Sequence, residues 1–224
     1  MTTRTLRRTA LAGGLAFTAT WIAGLLVAPA GTDVTSSGAE VVAAIRPHTG
    51  ATALQYALTE LVPAVVLVLT VGAVAAYAAR LGADRADDRL VTTARHLRRT
   101  AVAAGSISAL QGVLGLALTL VAVPRGAEDA AGLLFETVNR ADGVKMFVLA
   151  AMALLGLRIG RLGALPAWLT PVAALLAVSV AASGVGYLLL VTELATAAYV
   201  SLPLLLVWVT GAGVAVARRL GTGR

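Results

Sequence analysis

Residues 52–79 read TALQYALTELVPAVVLVLTVGAVAAYAA, and Arg80 follows. A bilayer core about 30 Å thick is crossed by ~20 helical residues. The stretch is long enough to cross, and its one charged side chain is Glu60. It reads as a transmembrane helix with an acid inside it. The rest of the chain repeats the pattern. Apolar stretches at 10–29, 100–123, 143–160, 166–190 and 194–217 bring the number of expected spans to six. The span at 143–160 has the shortest clean run, Met146 to Leu157, and needs Gly143, Val144 and Lys145 to reach the interface. Pro63, Pro171 and Pro203 fall inside spans, where neighbouring helices can satisfy the freed carbonyls and kinks are expected.

Composition points the same way. The chain of 224 residues is 58% hydrophobic and 13% charged, with a mean hydropathy of +0.87. A soluble domain covers its surface with about 25% charged residues. The expected fold is an all-α, polytopic integral membrane helix bundle forming a single domain over residues 1–224. There is no cysteine, which excludes disulfides, thiolate catalysis and cysteine-held metals. His48 and His96 lie in separate expected loops, so no histidine metal cluster is expected.

The basic residues give the topology. Fourteen lie in one alternating set of segments: Arg4, Arg7, Arg8; Arg80, Arg85, Arg89, Arg95, Arg98, Arg99; Arg158, Arg161; Arg218, Arg219 and Arg224. Four lie in the other: Arg46, Arg125, Arg140 and Lys145. Positive charge collects on the cytoplasmic side. Both termini are therefore expected in the cytoplasm, with the protein in the plasma membrane. The net charge of +7 is then a topology signal, and no nucleic-acid partner is expected. The N-terminal run, with Arg7-Arg8 before it and Ala28-Pro29-Ala30 after it, also imitates a signal peptide. Its length, and Phe17 and Trp21 within it, favour a retained first helix.

Eight of the eleven acids fall in or near the other half: Asp33, Glu40, Glu60, Glu128, Asp129, Glu136, Asp142 and Glu193. Glu60 lies about eight residues inside its span, or ~12 Å deep. An ionised carboxylate there costs ~3 kcal/mol on insertion scales. It persists if protonated, paired or facing a wet cavity, and a carboxyl kept neutral in a dry pocket is what a general acid must be. Alternatively, the span begins near Glu60 and the side chain reaches the interface, or it makes a structural hydrogen bond. Asp142, in Asn139-Arg140-Ala141-Asp142-Gly143, stands at the mouth of the fourth span. It can cap that helix and pair with Lys145 at i+3. It also approaches the same side of the membrane as Glu60, so the two carboxyls are candidates for one acid–base pocket.

Several residues are candidate lining for that pocket. Tyr56 stands one turn before Glu60. Ser179, Ser183 and Tyr187 form a polar stripe in the fifth span. Gly105, Ser108, Gly112 and Gly115 form a small-residue face in the third, with Gln111 beside it. Small faces also serve plain helix packing. Phe17 and Trp21 share a face of the first span, Asn139 and Phe147 flank the fourth-span entrance, and inward aromatic faces can stabilise a cation. Residues 36–45 and 129–140 read as short helices able to lie on the membrane as lids. Asp84, Asp87 and Asp88 resemble a magnesium–diphosphate box, although interleaved Arg85 and Arg89 fit a self-paired loop better.

With Glu60 in Thr-Glu-Leu-Val-Pro and Asp142 in Asn-Arg-Ala-Asp-Gly, this small helical membrane chain resembles the membrane-bound bacterial terpene cyclases of prenylated indoles, the drimentine type, and more loosely the fungal meroterpenoid cyclases. The resemblance implies a proton-initiated cyclase in which Glu60 and Asp142 drive protonation of a polyene. It implies a lipid-soluble, farnesylated indole or similar substrate. No metal or other cofactor is needed, because no diphosphate leaves. Three rival readings stand beside it. A small proton-coupled transporter predicts a continuous polar path. An accessory membrane subunit predicts that Glu60 is dispensable. A prenyltransferase using Asp84, Asp87 and Asp88 predicts magnesium dependence.

Overall fold

The computed structural model describes residues 2–29 and 31–222. Among them the chain forms α1 (Thr3–Val27), α2 (Gly38–Ile45), α3 (Thr49–Tyr56), α4 (Val62–Asp84), α5 (Asp88–Ala117), α6 (Glu128–Arg161), α7 (Leu169–Leu189), α8 (Thr192–Ala195) and α9 (Ala198–Gly221). Six helical stretches are long and apolar enough to cross a membrane. The fold is therefore the expected all-α bundle. Ala30, which ends the small-residue signal after the first span, and Arg224 of the basic tail lie outside the described residues.

Local chemistry sets the helix starts. Thr2 caps α1 by accepting from the Thr5 amide, and Asp87 caps α5 by accepting from the Arg89 and Leu90 amides. Ser37 and Glu40 form a reciprocal capping box on α2. Asp87 is thereby used in a helix cap, as a turn aspartate commonly is. No group of three or more His, Cys, Asp or Glu residues is placed to hold a metal among the described residues.

The six spans close a ring. α1 packs on α4, α4 on α5, α5 on α6, α6 on α7, α7 on α9, and α9 returns to α1. The interior holds Phe17, Val71, Val74, Leu149, Met152 and Trp208. Small residues let the helices approach. The Trp208 ring lies against Gly156, and Gly213 faces the Ala10 backbone. Thr210 donates to the Gly14 carbonyl at 2.7 Å, which ties α9 to α1 in the absence of any strong hydrophobic drive between helices in lipid. The outer face carries exposed Leu15, Leu69, Val113, Leu154, Leu175 and Val178, as a lipid-facing surface requires.

Two expectations about the loops are corrected. Residues 129–140 are not a separate surface helix. They form the first part of α6, whose 34 residues extend ~50 Å, well beyond the expected 143–160. Glu136 and Arg140 support this polar extension as an i, i+4 ion pair at 2.7 Å. Nor is α2 a free lid. Val41 and Val42 are buried against Leu118, Ala122, Val123 and Ala131, and Gly38 touches the α6 backbone at Glu128. Asp33 ties down the loop before α2. It accepts from the Thr192 hydroxyl at 2.7 Å and from the Thr35 amide and hydroxyl, and these bonds hold its carboxyl below the usual carboxylate range.

The prolines act differently from simple kinks. Pro63 is the second residue of α4. Its ring would crowd the Thr59 carbonyl in a regular helix. The chain widens instead into a π turn over Ala57–Leu61, with the Val62 amide donating to the Ala57 carbonyl. Glu60 lies in that turn. Pro171 falls in the first turn of α7, where a missing N–H leaves no gap. Pro203 is inside α9, which continues through it.

Candidate functional site

Glu60 is 8% exposed and faces the bundle interior, which removes the alternative of a side chain reaching the interface. Its carboxylate receives Lys145 of α6, with Nζ 3.0 Å from Oε1 and 2.8 Å from Oε2. The same Nζ lies 2.8 Å from Oδ1 of Asp142, one turn earlier on α6. One lysine thus holds two carboxyl groups from different spans, and the two candidate acids do share a site. Ser108 of α5 donates its hydroxyl to Glu60 Oε2. Gln111, one turn later on α5, donates from Nε2 to Asp142 Oδ1 at 3.1 Å and to the Val138 carbonyl at 3.1 Å. Gln111 Oε1 is buried and has no hydrogen-bond partner among the described residues.

Helix geometry explains the convergence. Gly105 and Gly112 let α5 approach the α4 side closely, with Gly105 against Ala64 and Val68, and Gly112 against Leu61. The Tyr56 ring lies on Gly115. Ser108 belongs to this small-residue face and is where the face becomes polar. The face serves close packing and the site together. Measured along the helices, Ser108 stands nine residues beyond Arg99, ~14 Å, and Lys145 thirteen residues before Arg158, ~20 Å. From Arg80, Glu60 is about 30 Å away along the chain, twenty residues before it. The cluster therefore belongs to the half of the bundle away from the basic ends.

Charge balance defines what the cluster can do. Two carboxyls and one ammonium are neutral together when one proton is shared between the carboxyls, and carry one negative charge when it is not. A buried cluster of this composition can release and recover a single proton, with the lysine beside whichever carboxylate is left. Tyr56 lies within electrostatic range of Glu60 and Asp142, and Tyr187 within range of Asp142, Lys145 and Glu60. Phe17, Trp21, Ser108 and Lys145 line one small cavity with Leu149 and Leu205. Its volume is about 20 Å³, room for roughly one water. Tyr56 also lines a second cavity of about 80 Å³ with His48, Thr52 and Gln55.

Four candidate lining residues do not reach the cluster. Ser183 donates to the Val180 carbonyl of its own helix at 3.0 Å, as Ser179 does to Leu176 at 3.2 Å. Asn139 donates to the Phe135 carbonyl at 3.1 Å. Phe147 is 41% exposed, at the α7 side of α6. The short polar side chains satisfy themselves on their own turns, which a stripe in the sequence does not reveal. Conversely, Lys145 was legible as a residue of the fourth-span entrance and a neighbour of Asp142, and not as a partner of Glu60. The signal for its larger role was a lone lysine at the edge of an apolar run, since a buried cation requires a partner. Comparison of the chain with protein-family models, curated proteins and solved structures finds no match.

Proposed function

We propose that this chain is a membrane-embedded acid–base enzyme, and that its reaction is the proton-initiated, metal-independent cyclisation of a lipid-soluble prenylated substrate such as a farnesylated indole. The observation that carries the reading is the sharing of Lys145 by Glu60 and Asp142 beside a cavity walled by Phe17 and Trp21. The neutral carboxyl of the pair gives its proton to a terminal alkene carbon, forming a C–H bond and a carbocation. Lys145 stabilises the carboxylate that remains. Ring closures move the cation, with the Phe17 and Trp21 faces offering it negative charge density. Loss of a C–H proton to the carboxylate ends the cascade and restores the site, so the substrate and product are isomers.

A substrate of this size requires the site to open, since the cavity holds roughly one water. α1 is the element to move. It forms one wall through Phe17 and Trp21, and Leu15, Ile22, Leu25 and Leu26 on it face outward. The same small cavity favours a second reading, in which the cluster passes protons for a small transporter. In both readings the chain ends face the cytoplasm across the plasma membrane. The support is the gathering of basic ends, with Arg219 donating to the Gly163 carbonyl at 3.0 Å and Gly221 beside Arg7.

The test incubates membranes holding wild type or Glu60→Gln with farnesylated indoles, without added metal, and separates products by mass spectrometry. An isomer of unchanged mass from wild type alone is the expected result. If folded wild type converts none of several prenylated substrates, the cyclase reading falls. Glu60-dependent proton uptake in liposomes would then establish the second reading.

A further inference from the structure

Far from the acid–base cluster, the opposite end of the bundle holds two adjoining cavities. One, of about 400 Å³, is lined by Tyr77, Leu81, Arg85, Gly163, Arg218 and Arg219, together with Thr222. The other, of about 430 Å³, shares Arg218 and Arg219 and continues along Pro166, Trp168, Gly211 and Val214. Both are within the size range of ligand sites. The first is cationic. The second is apolar, and Trp168 beside it is 52% exposed, as an aromatic at a membrane interface is.

The arginines line one cavity, and among the described residues none of them is in an ion pair. Gly163, in a left-handed turn at φ 78°, accepts from Arg219 Nη1 at 3.0 Å, and a Cβ built on it would stand 3.7 Å from Arg85 Nη1. Arg219 thus bonds to Gly163, and the Arg85 guanidinium borders the same glycine. No ion pair from Arg85, Arg218 or Arg219 to a carboxylate occurs among the described residues, and the nearby Asp87 is engaged in capping α5. Like charges lining one cavity favour an anion there, and Arg presents paired donors that match phosphate geometry.

We propose that these two cavities together bind one anionic phospholipid, with the headgroup phosphate between Arg85 and Arg219 and an acyl chain lying along Trp168 and Val214. The apolar half selects a lipid over free phosphate. Among the described residues no carboxylate pairs with these arginines, which favours an anionic headgroup over a zwitterionic one. The site is independent of the acid–base reading, because it shares no residue with the cluster.

The test is native mass spectrometry of the purified full chain with phosphatidylglycerol or phosphatidylcholine of the same acyl chains. Wild type is expected to retain phosphatidylglycerol in preference, and inorganic phosphate at equal concentration should not displace it. The Arg85→Gln/Arg219→Gln variant should lose about thirtyfold in phosphatidylglycerol retention, from ~1 kcal/mol for each of the two arginines near an anionic lipid surface. If that variant does not fold, Val214→Trp, which fills the apolar groove and leaves the arginines, should lower retention of the same lipid. Equal retention of both lipids by wild type would overturn the proposal. So would displacement by inorganic phosphate, or retention unchanged in whichever of these variants folds.

Discussion

Lys145 is the side chain on which the buried charge cluster depends. It is 5% exposed and is the one cation within reach of both Glu60 and Asp142 among the described ion pairs. Removing one partner from a buried ion pair typically costs ~3–5 kcal/mol, because the charge left behind has lost both water and partner. Lys145→Met should therefore destabilise the protein by about that amount in bicelles, read as the loss of unfolding free energy in a denaturant titration. Glu60→Gln should cost less, since Lys145 keeps Asp142. The double variant Glu60→Gln/Lys145→Met should be more stable than Lys145→Met alone. Equal losses for the two single variants would show that Asp142 does not hold the lysine once Glu60 is neutral. Glu60 was legible in the sequence because a charge in an apolar run is conspicuous, and Asp142 because it stands at the mouth of the fourth span on the same side of the membrane. Their meeting through Lys145 was not, because it depends on how the turn holding Glu60 and the helix α6 are each seated on α5. The seating of that turn and of α4 follows from Leu61 and Ala64 packing on Gly112 and Gly105, contacts between segments far apart in the chain.

At the scale of the element, glycines separate positions where helices touch from positions where they do not. A Cβ on Gly143 would collide with the Leu188 backbone, which no side-chain rotation relieves. Gly143→Ala should force α6 and α7 apart and cost about 1–3 kcal/mol, as overpacking does. Gly50 in α3 has open space around the same position. Gly50→Ala should stabilise by ~0.5–1 kcal/mol through helix propensity. Thermal unfolding of the two variants should shift in opposite directions, and a shared direction would contradict this assignment of contacts. The Asp33 clamp gives a pH-dependent counterpart. The carboxyl is depressed below its ordinary 3.8 by Thr192 first and Thr35 second. A depressed acid contributes stability that is fully present above the unfolded value and lost as pH falls below it through the folded value. Amide exchange at Thr35 should accordingly rise, relative to Asp33→Ala, only when pH drops below that 3.8. Helix existence was legible from apolar runs, and ends were less so. α6 begins fifteen residues before the expected 143, because Glu136 and Arg140 support a helix by pairing along it, whereas the hydropathy pattern sees only polar sequence.

For the whole molecule, the closed ring makes sidedness a single all-or-none property. With six alternating spans, every basic end must lie on one face and α2, α3 and α8 on the other. The number of spans was legible from the sequence, and so was the charge alternation. The ring order was not, because it is fixed by which small residues let which helices approach, such as Gly14 and Gly213 between α1 and α9. The chain has no cysteine, so each introduced cysteine is the sole thiol. Thr222→Cys and Arg85→Cys should react with a membrane-impermeant maleimide only from the cytoplasmic side, in inverted vesicles. Thr32→Cys and Thr196→Cys should react only in intact cells, because both line a cavity at the opposite end with Asp33 and Tyr199. The reverse labelling pattern would invert the orientation and place the acid–base cluster nearer the cytoplasm. Labelling of Arg85→Cys and Thr222→Cys from opposite sides would break the ring itself, since Arg85 and Thr222 line one cavity. Those two positions therefore test the bundle as well as its direction. Only if they agree does the side from which Thr32→Cys reacts report which aqueous compartment lies closer to Glu60.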